Sequence, residues 1–299
     1  MTVAEMWRQM FDFQDYGALL GLVRNSLIVG GALGLVGGLT GVFVVLRDLP
    51  FAVHGISELS FAGASAALLF GVNVVAGSIA GSLIAALVIG VLGARARDRN
   101  SIIGVLMPFG LGLGVLFLAL YKGRAANKFG LLTGQIVAVD NPQTGWMLTV
   151  SALVLIALAV IWRPLTFASA DAQVARARGL PVRGLSVAFM LLLGITIALS
   201  VQVVGALLVL SLVVTPAAAA ARVTASPVLL PLLSVLFAVL AVEGGILLAL
   251  GSSIPISPYV TTISFLVYIV CRLIGTRRTQ HRRTTHTVTA VAAGEPVRS

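Results

Sequence analysis

The chain has 299 residues, of which 59% are hydrophobic and only 10% charged, and its mean hydropathy is +1.07. About a quarter of the residues of a soluble globular protein are charged, so this composition excludes that class and indicates a polytopic membrane protein. The net charge of +10 does not indicate nucleic-acid binding, because the basic residues lie between apolar segments, where positive charge sets membrane topology.

The chain divides into three predicted parts. In residues 1–25, Val3, Met6 and Met10 recur at helical spacing, which predicts an amphipathic helix lying along the membrane interface. Residues 26–275 hold the apolar segments and form the predicted transmembrane domain. Residues 276–299 are rich in Arg, Thr and His with little to bury, which predicts a disordered basic tail on the cytoplasmic face.

The apolar segments predict an all-α membrane protein, a bundle of nine transmembrane helices with eight as the alternative. The two counts differ between Gly184 and Ala221, where Gln202 and Gly205 interrupt one long apolar run, so the turn there must be tight or re-entrant. An amino terminus outside puts most of the 20 Lys and Arg residues on the cytoplasmic side. The predicted spans are Ser26–Leu46, Phe51–Phe70, Val74–Gly93, Ser101–Tyr121, Gly145–Trp162, Gly184–Val201, Val203–Ala221, Pro227–Leu250 and Pro258–Ile274.

Glycines at a spacing of four residues recur in three of these spans. Small residues let helix backbones approach closely in lipid, so the repeats predict helix–helix contacts. They are Gly30, Gly34 and Gly38, then Gly77 and Gly81, and Gly110 and Gly114.

The second span carries two ionisable residues, His54 and Glu58, which a helix places on one face. Ionisable groups are costly inside a bilayer and mark a functional site by default. An imidazole nitrogen beside a carboxylate oxygen is a ligand pair for a divalent cation, zinc above all and also manganese or iron. The alternative interpretation is a buried structural hydrogen-bonded pair. A further acid in the eighth span, Glu243, fits either a second polar station on a metal path or a helix-packing residue.

Two absences bound the chemistry. Neither lysine of the chain, Lys122 or Lys128, follows a glycine, so the phosphate-binding loop G-x-x-x-x-G-K-[ST] is absent and any ATP-driven role needs a partner subunit. The single cysteine, Cys271, excludes an intramolecular disulfide and a cysteine-based metal cluster within one chain.

The segment from Asp171 to Val182 predicts a short capped helix, since it starts with an acid, contains Arg176 and ends with Gly179 and Pro181. From its residues alone, an ordinary cytoplasmic loop and a docking surface fit it equally well.

Five regions in order resemble the membrane permeases of ABC importers for zinc and manganese, over about Ser26 to Ile274. Phe51 to Gly63 is similar to the second-helix signature of that family, which has an acid and a histidine four residues apart. The other similar regions are Gly41 to Arg47, Leu131 to Ala138, Asp171 to Val182 with the core helix from Val203 to Ala217, and Ile254 to Pro258. In this chain the histidine precedes the acid, and Gln135 stands where the family often has aspartate, so the resemblance leaves the metal preference open.

The resemblance implies a prokaryotic plasma-membrane protein that carries zinc or manganese as substrate, with no permanently bound cofactor and no enzymatic activity of its own. It also implies a second copy of the chain, a cytoplasmic ABC ATPase dimer docked on the segment from Asp171 to Val182, and an extracytoplasmic metal-binding protein. Alternative functions are an ABC permease for a metal chelate or small nutrient, and an ion-driven secondary transporter.

Overall fold

The computed structural model of the protein describes residues 20–21, 23–93, 96–123, 130–131, 141–250 and 255–292, with the side chains of 96–98, 207 and 276–292 outside the description. The regular elements of this described part are all helices. The helices are α1 (Arg24–Leu46), α2 (Pro50–Phe70), α3 (Val74–Leu92), α4 (Ala96–Leu120), α5 (Asn141–Ala170), α6 (Ala172–Ala177), α7 (Val182–Val204), α8 (Val209–Val213), α9 (Thr215–Val223), α10 (Leu229–Leu250) and α11 (Ile256–Ala292).

Eight helices in the described ranges are long and apolar enough to cross a membrane, and residues 209–223 form a shorter apolar stretch. This pattern confirms the predicted all-α polytopic bundle of eight or nine helices. The counts of eight and nine helices differ where the sequence predicts, between Gly184 and Ala221. The seventh predicted span is not one continuous helix: after the end of α7 it is divided into a 3₁₀ helix (Ala206–Leu208), α8 and α9.

The polypeptide turns sharply at Gly205, where α7 ends. Gly205 has φ 86° and ψ 158°, a backbone conformation that residues with a side chain rarely adopt. Two serines of α11 bind carbonyl groups near the break: Ser257 Oγ donates to the Val204 carbonyl at 2.9 Å, and Ser264 Oγ donates to the Ser211 carbonyl at 2.9 Å. Such bonds are needed because lipid offers no partner to a backbone that leaves the helical pattern.

Helix packing follows the glycine repeats. On α1, an added Cβ at Gly34 would lie 2.9 Å from the Val239 Cα of α10, and one at Gly38 would lie 2.7 Å from the Val235 Cα. On α3, Gly77 faces the backbone of Gly63 on α2 in the same way. The predicted role of these repeats in helix contacts is confirmed, and it produces three close pairs: α1 with α10, α2 with α3, and α2 with α4 through Gly110 and Gly114.

The outer surface of the bundle is apolar. On α5, the side chains of Leu153, Ile156 and Val160 are exposed, up to 75% for Val160. Such a surface is stable in hydrocarbon and not in water, so the chain is a multi-pass membrane protein whose surroundings are lipid.

The predicted interfacial helix of residues 1–25 lies largely outside the described residues. The backbone of 276–292 continues α11 as a helix, while its side chains lie outside the description. The division into an interfacial segment, a permease domain and a basic tail therefore stays a prediction.

Candidate functional site

Helix α2 carries the two intramembrane residues that the sequence singles out. It begins with Pro50, whose fixed φ suits the first helical position, and ends at Gly71 in the left-handed conformation with φ 69°. Between these ends His54 and Glu58 lie one turn apart on the same face.

The two side chains lie close together but are not hydrogen bonded to each other. His54 Nε2 is 3.6 Å from Glu58 Oε1, beyond the usual hydrogen-bond distance. The His54 side chain is 29% exposed and the Glu58 side chain 4%. Among the described residues, His54 Nδ1 and Glu58 Oε2 are buried and have no hydrogen-bond partner. Each residue of the pair therefore has a buried polar atom left over, which is costly unless something else binds there.

Backbone contacts hold this part of α2 from two directions. An added Cβ at Gly110 of α4 would lie 3.0 Å from the Glu58 carbonyl carbon and from the Leu59 nitrogen. Gly81 of α3 faces the Leu59 carbonyl group still more closely. Also between α2 and α3, Ser60 and Ser78 lie within hydrogen-bond distance, with their hydroxyl oxygens 2.7 Å apart. The pair is thus attached to a backbone that has little room to shift.

Glu243 lies in a different neighbourhood, on α10 against α1. Its Oε1 would be 3.2 Å from a Cβ added at Gly31 and 3.3 Å from one added at Gly30. Over the described part of the chain, no three His, Cys, Asp or Glu side chains form a group that could hold a metal ion. The structure therefore brings His54 and Glu58 together and does not add Glu243 to them.

The short helix predicted after Asp171 is present as α6. The Asp171 carboxylate caps it by accepting from the backbone N–H groups of Gln173 at 2.8 Å and Val174 at 3.0 Å. The chain then turns through Gly179, with φ 79°, to Pro181 at the start of α7. Arg176 is exposed, while Ala175 is buried against the bundle. A capped helix with an exposed basic face is a suitable shape for contacting another protein, and its docking role stays a prediction.

Sequence reasoning missed one residue of this scaffold, Gly63. It lies eight residues after Gly55, the other glycine of α2, so it belongs to no four-residue repeat, and the signal for its contact lies on the neighbouring helix, in the Gly77 and Gly81 repeat. Gly63 is identified only when α2 and α3 are considered as a packed pair.

Comparison with known proteins gives one family and several relatives. Residues 20–275 match the model of the ABC 3 transport family. The chain is 30% identical over 206 residues to the manganese transport system membrane protein MntC of Listeria innocua, covering 68% of this chain and 73% of that protein. It is 24% identical over 246 residues to the high-affinity zinc uptake system membrane protein ZnuB of Haemophilus influenzae, covering 82% and 94%.

A solved structure has the same fold. PsaBC from Streptococcus pneumoniae, in complex with Fab, matches with a TM-score of 0.77 at 24% identity, over 86% of this chain and 94% of that chain. Together with the family match, these relatives confirm the resemblance to zinc and manganese ABC permeases that the sequence motifs indicate.

Proposed function

This chain belongs to the ABC 3 transport family, and from that premise we propose that it is the membrane-spanning subunit of an ATP-driven importer of manganese or zinc ions. Like its relatives, it is a transport subunit and not an enzyme. The observation that carries the metal assignment is the buried pair of His54 and Glu58, each with a polar atom that has no hydrogen-bond partner in the described part of the chain. An imidazole and a carboxylate are the ligand types that both metals accept.

The proposal includes a second copy of the chain. One chain supplies two convergent ligands, whereas zinc usually takes four in tetrahedral arrangement. A twofold axis beside α2 would supply two His54 and two Glu58 side chains, and the same operation would surround an ion on both sides. When the two copies move relative to each other, the four side chains no longer surround the ion and it is released. This movement provides alternating access.

ATP hydrolysis belongs to a separate pair of cytoplasmic subunits, because the sequence has no phosphate-binding loop. Helix α6, with its cap at Asp171 and its exposed Arg176, is the proposed contact for those subunits. A metal-binding protein on the outer side of a prokaryotic plasma membrane delivers the ion. Zinc or manganese passes through as substrate, and the chain keeps no permanent cofactor.

Uptake of radiolabelled zinc and manganese tests the metal site. His54→Ala in cells that lack other importers is expected to abolish uptake, because each copy then keeps one ligand. Ser57→Ala is the matched control: its hydroxyl donates to the His54 carbonyl at 2.8 Å and is not a metal ligand in this site. Membrane abundance is measured by blot.

The outcomes separate the competing functions. Wild-type uptake by His54→Ala at normal abundance would contradict direct metal binding and favour a chelate or small-nutrient permease. Uptake that persists without ATP but stops when the ion gradient is dissipated would indicate a secondary transporter. The metal carried by the wild type decides between zinc and manganese.

Docking of the ATPase subunits has its own test. Asp171→Ala removes the cap of α6, and a lost cap costs about 1 kcal/mol. We expect reduced recovery of the complex and reduced ATPase stimulation, with a further loss when Arg176→Glu is added. Unchanged assembly in the double variant would remove α6 from the docking surface.

A further inference from the structure

A cavity of about 510 Å³ lies at one end of the bundle, where α1 and α3 end and α6 and α7 meet. Four arginines line it: Arg47, Arg99, Arg176 and Arg183. None of its lining residues, all of them in the described part of the chain, is acidic. This is the end that the positive-inside rule places in the cytoplasm.

The two less exposed arginines, Arg47 and Arg99, have no counter-charge among the described side chains. Arg47 donates from Nη2 to Ser186 Oγ at 2.6 Å and lies 5.7 Å from the centre of the Phe189 ring. Burial, and next the charge of Arg99, lowers the pKa of Arg47. Arg99 donates from Nη2 to the Asp48 carbonyl at 3.4 Å, while its Nε is buried and has no acceptor among the described residues. Cations in this arrangement favour an anion between them.

Nearby carboxylates do not supply that anion in the described part of the chain. Asp48 is exposed and takes part through its backbone carbonyl. Asp171 uses its carboxylate to cap α6. No described carboxylate lies within ion-pair distance of the four arginines. The side chain of Asp98 lies outside the described part of the chain, and Asp98→Asn tests its contribution.

The wall of the cavity changes from polar to apolar along the helices. On α7, Arg183 and Ser186 lie nearer the helix start and Met190 lies one turn deeper. On α3, Ile89 and Gly90 lie deeper than Gly93 at the helix end. An amphiphile with an anionic head and hydrocarbon tails has this same order, whereas a carboxylate side chain of a docking protein would need no apolar continuation.

We propose that this cavity binds the phosphodiester headgroup of an anionic phospholipid of the cytoplasmic leaflet, with the start of its hydrocarbon chains against the buried apolar wall formed by Ile89 and Met190. The arginines supply the charge, and basic pockets between transmembrane helices on the cytoplasmic side are suited to such headgroups. Arg176 of α6 lines the same cavity, so the lipid lies directly beside the segment proposed to contact the ATPase.

Lipid binding to the purified full-length chain tests this proposal. Titrations with phosphatidylglycerol, phosphatidylcholine and inorganic phosphate are followed by native mass spectrometry. We expect preference for phosphatidylglycerol, weakened roughly fivefold by Arg99→Gln or Arg183→Gln and roughly thirtyfold by both, from the usual worth of a basic side chain at an anionic lipid. Arg163→Gln is the matched control, because Arg163 is exposed on α5 and does not line the cavity.

Several results would overturn the proposal. Equal binding of the two lipids, or unchanged binding by the double variant, removes the site. Binding of inorganic phosphate as tight as that of phosphatidylglycerol assigns the cavity to free phosphate. A preference for phosphatidylglycerol that appears only in Asp98→Asn, and not in the wild type, means that Asp98 fills the cavity. If the double variant retains phosphatidylglycerol but loses the ATPase, the arginines belong to docking. Should the double variant not fold, Arg183→Gln, at an exposed position, carries the test alone.

Discussion

Two glutamates lie inside transmembrane helices, and their surroundings differ. Glu58 is on a helix whose backbone contacts glycines of two neighbours, Gly81 and Gly110, and it has His54 beside it. Helix α10 also has backbone contacts with α1, at Val235 and Val239, but Glu243 itself meets α1 through the tip of its flexible side chain, which lies against Gly30 and Gly31. A ligand must be held in place by its support, so the comparison teaches that the position of an acid in a span matters less than how closely its own backbone is held.

The largest effect expected from this comparison is on transport. Glu58→Gln removes a carboxylate from the proposed site and is expected to lower metal uptake by about a hundredfold or more, since even supporting groups of metal sites cost up to that much. Glu243→Gln, the same chemical change, is expected to leave uptake close to wild type. Uptake at matched membrane abundance measures both. A comparable loss in the two variants would make Glu243 a second station on the path.

Stability gives the next contrast, from the same glycine-to-alanine change made in each region. A Cβ at Gly81 would collide with the Leu59 carbonyl group, which is backbone, whereas a Cβ at Gly31 would lie 3.2 Å from Glu243 Oε1, which can rotate away. We expect Gly81→Ala to lower the free energy of unfolding by about 3 kcal/mol, and Gly31→Ala to change it by less than about 0.5 kcal/mol.

Thermal unfolding in one detergent and recovery of folded protein measure this contrast. Gly104→Ala on α4 is a control, because nothing lies within 4 Å of an added Cβ there. Equal tolerance of Gly81→Ala and Gly31→Ala would show that α3 can move away from α2, and the argument for a rigid support would fail.

The smallest expected effect concerns the hydrogen bonds that both regions have in common. Ser60 pairs with Ser78 between α2 and α3, and Ser234 Oγ donates to the Gly38 carbonyl at 2.7 Å between α10 and α1. Replacing Ser60 or Ser234 by alanine is expected to cost about 0.6 kcal/mol each, the average for such bonds in membranes. If Ser60→Ala and Ser234→Ala cost the same, the difference in stability between the two regions comes from packing alone. A cost for Ser60→Ala several times that of Ser234→Ala would attribute it to hydrogen bonding.

The spacing of residues within one helix could be predicted from the sequence. The pairing of His54 with Glu58 depends only on helical geometry, and the glycine repeats on α1, α3 and α4 need only a period of four. The cap at Asp171 is equally local, since an N-cap contacts the next three residues. These features required no knowledge of which helices are neighbours.

Features that depend on neighbouring helices could not be predicted in the same way. Whether Glu243 joins His54 and Glu58 depends on the placement of α10, and the hydropathy of a span does not reveal its neighbours. The arginine cavity combines Arg47, Arg99 and Arg183 from three separate segments, and in the sequence they are indistinguishable from ordinary topology signals. The break at Gly205 could be predicted only in part. The sequence indicates its position but not the serines of α11 that stabilise it.

The close contact of α2 and α3 also has a consequence for genetics. Every amino-acid substitution at a glycine adds at least a Cβ, so any missense change at Gly63, Gly77 or Gly81 introduces an atom where backbone already lies. A random screen for cells that fail to acquire metal would therefore recover these codons beside those of His54 and Glu58. The first group should reduce the amount of protein in the membrane and the second should not, so sorting isolates by abundance separates loss of the scaffold from loss of the ligand.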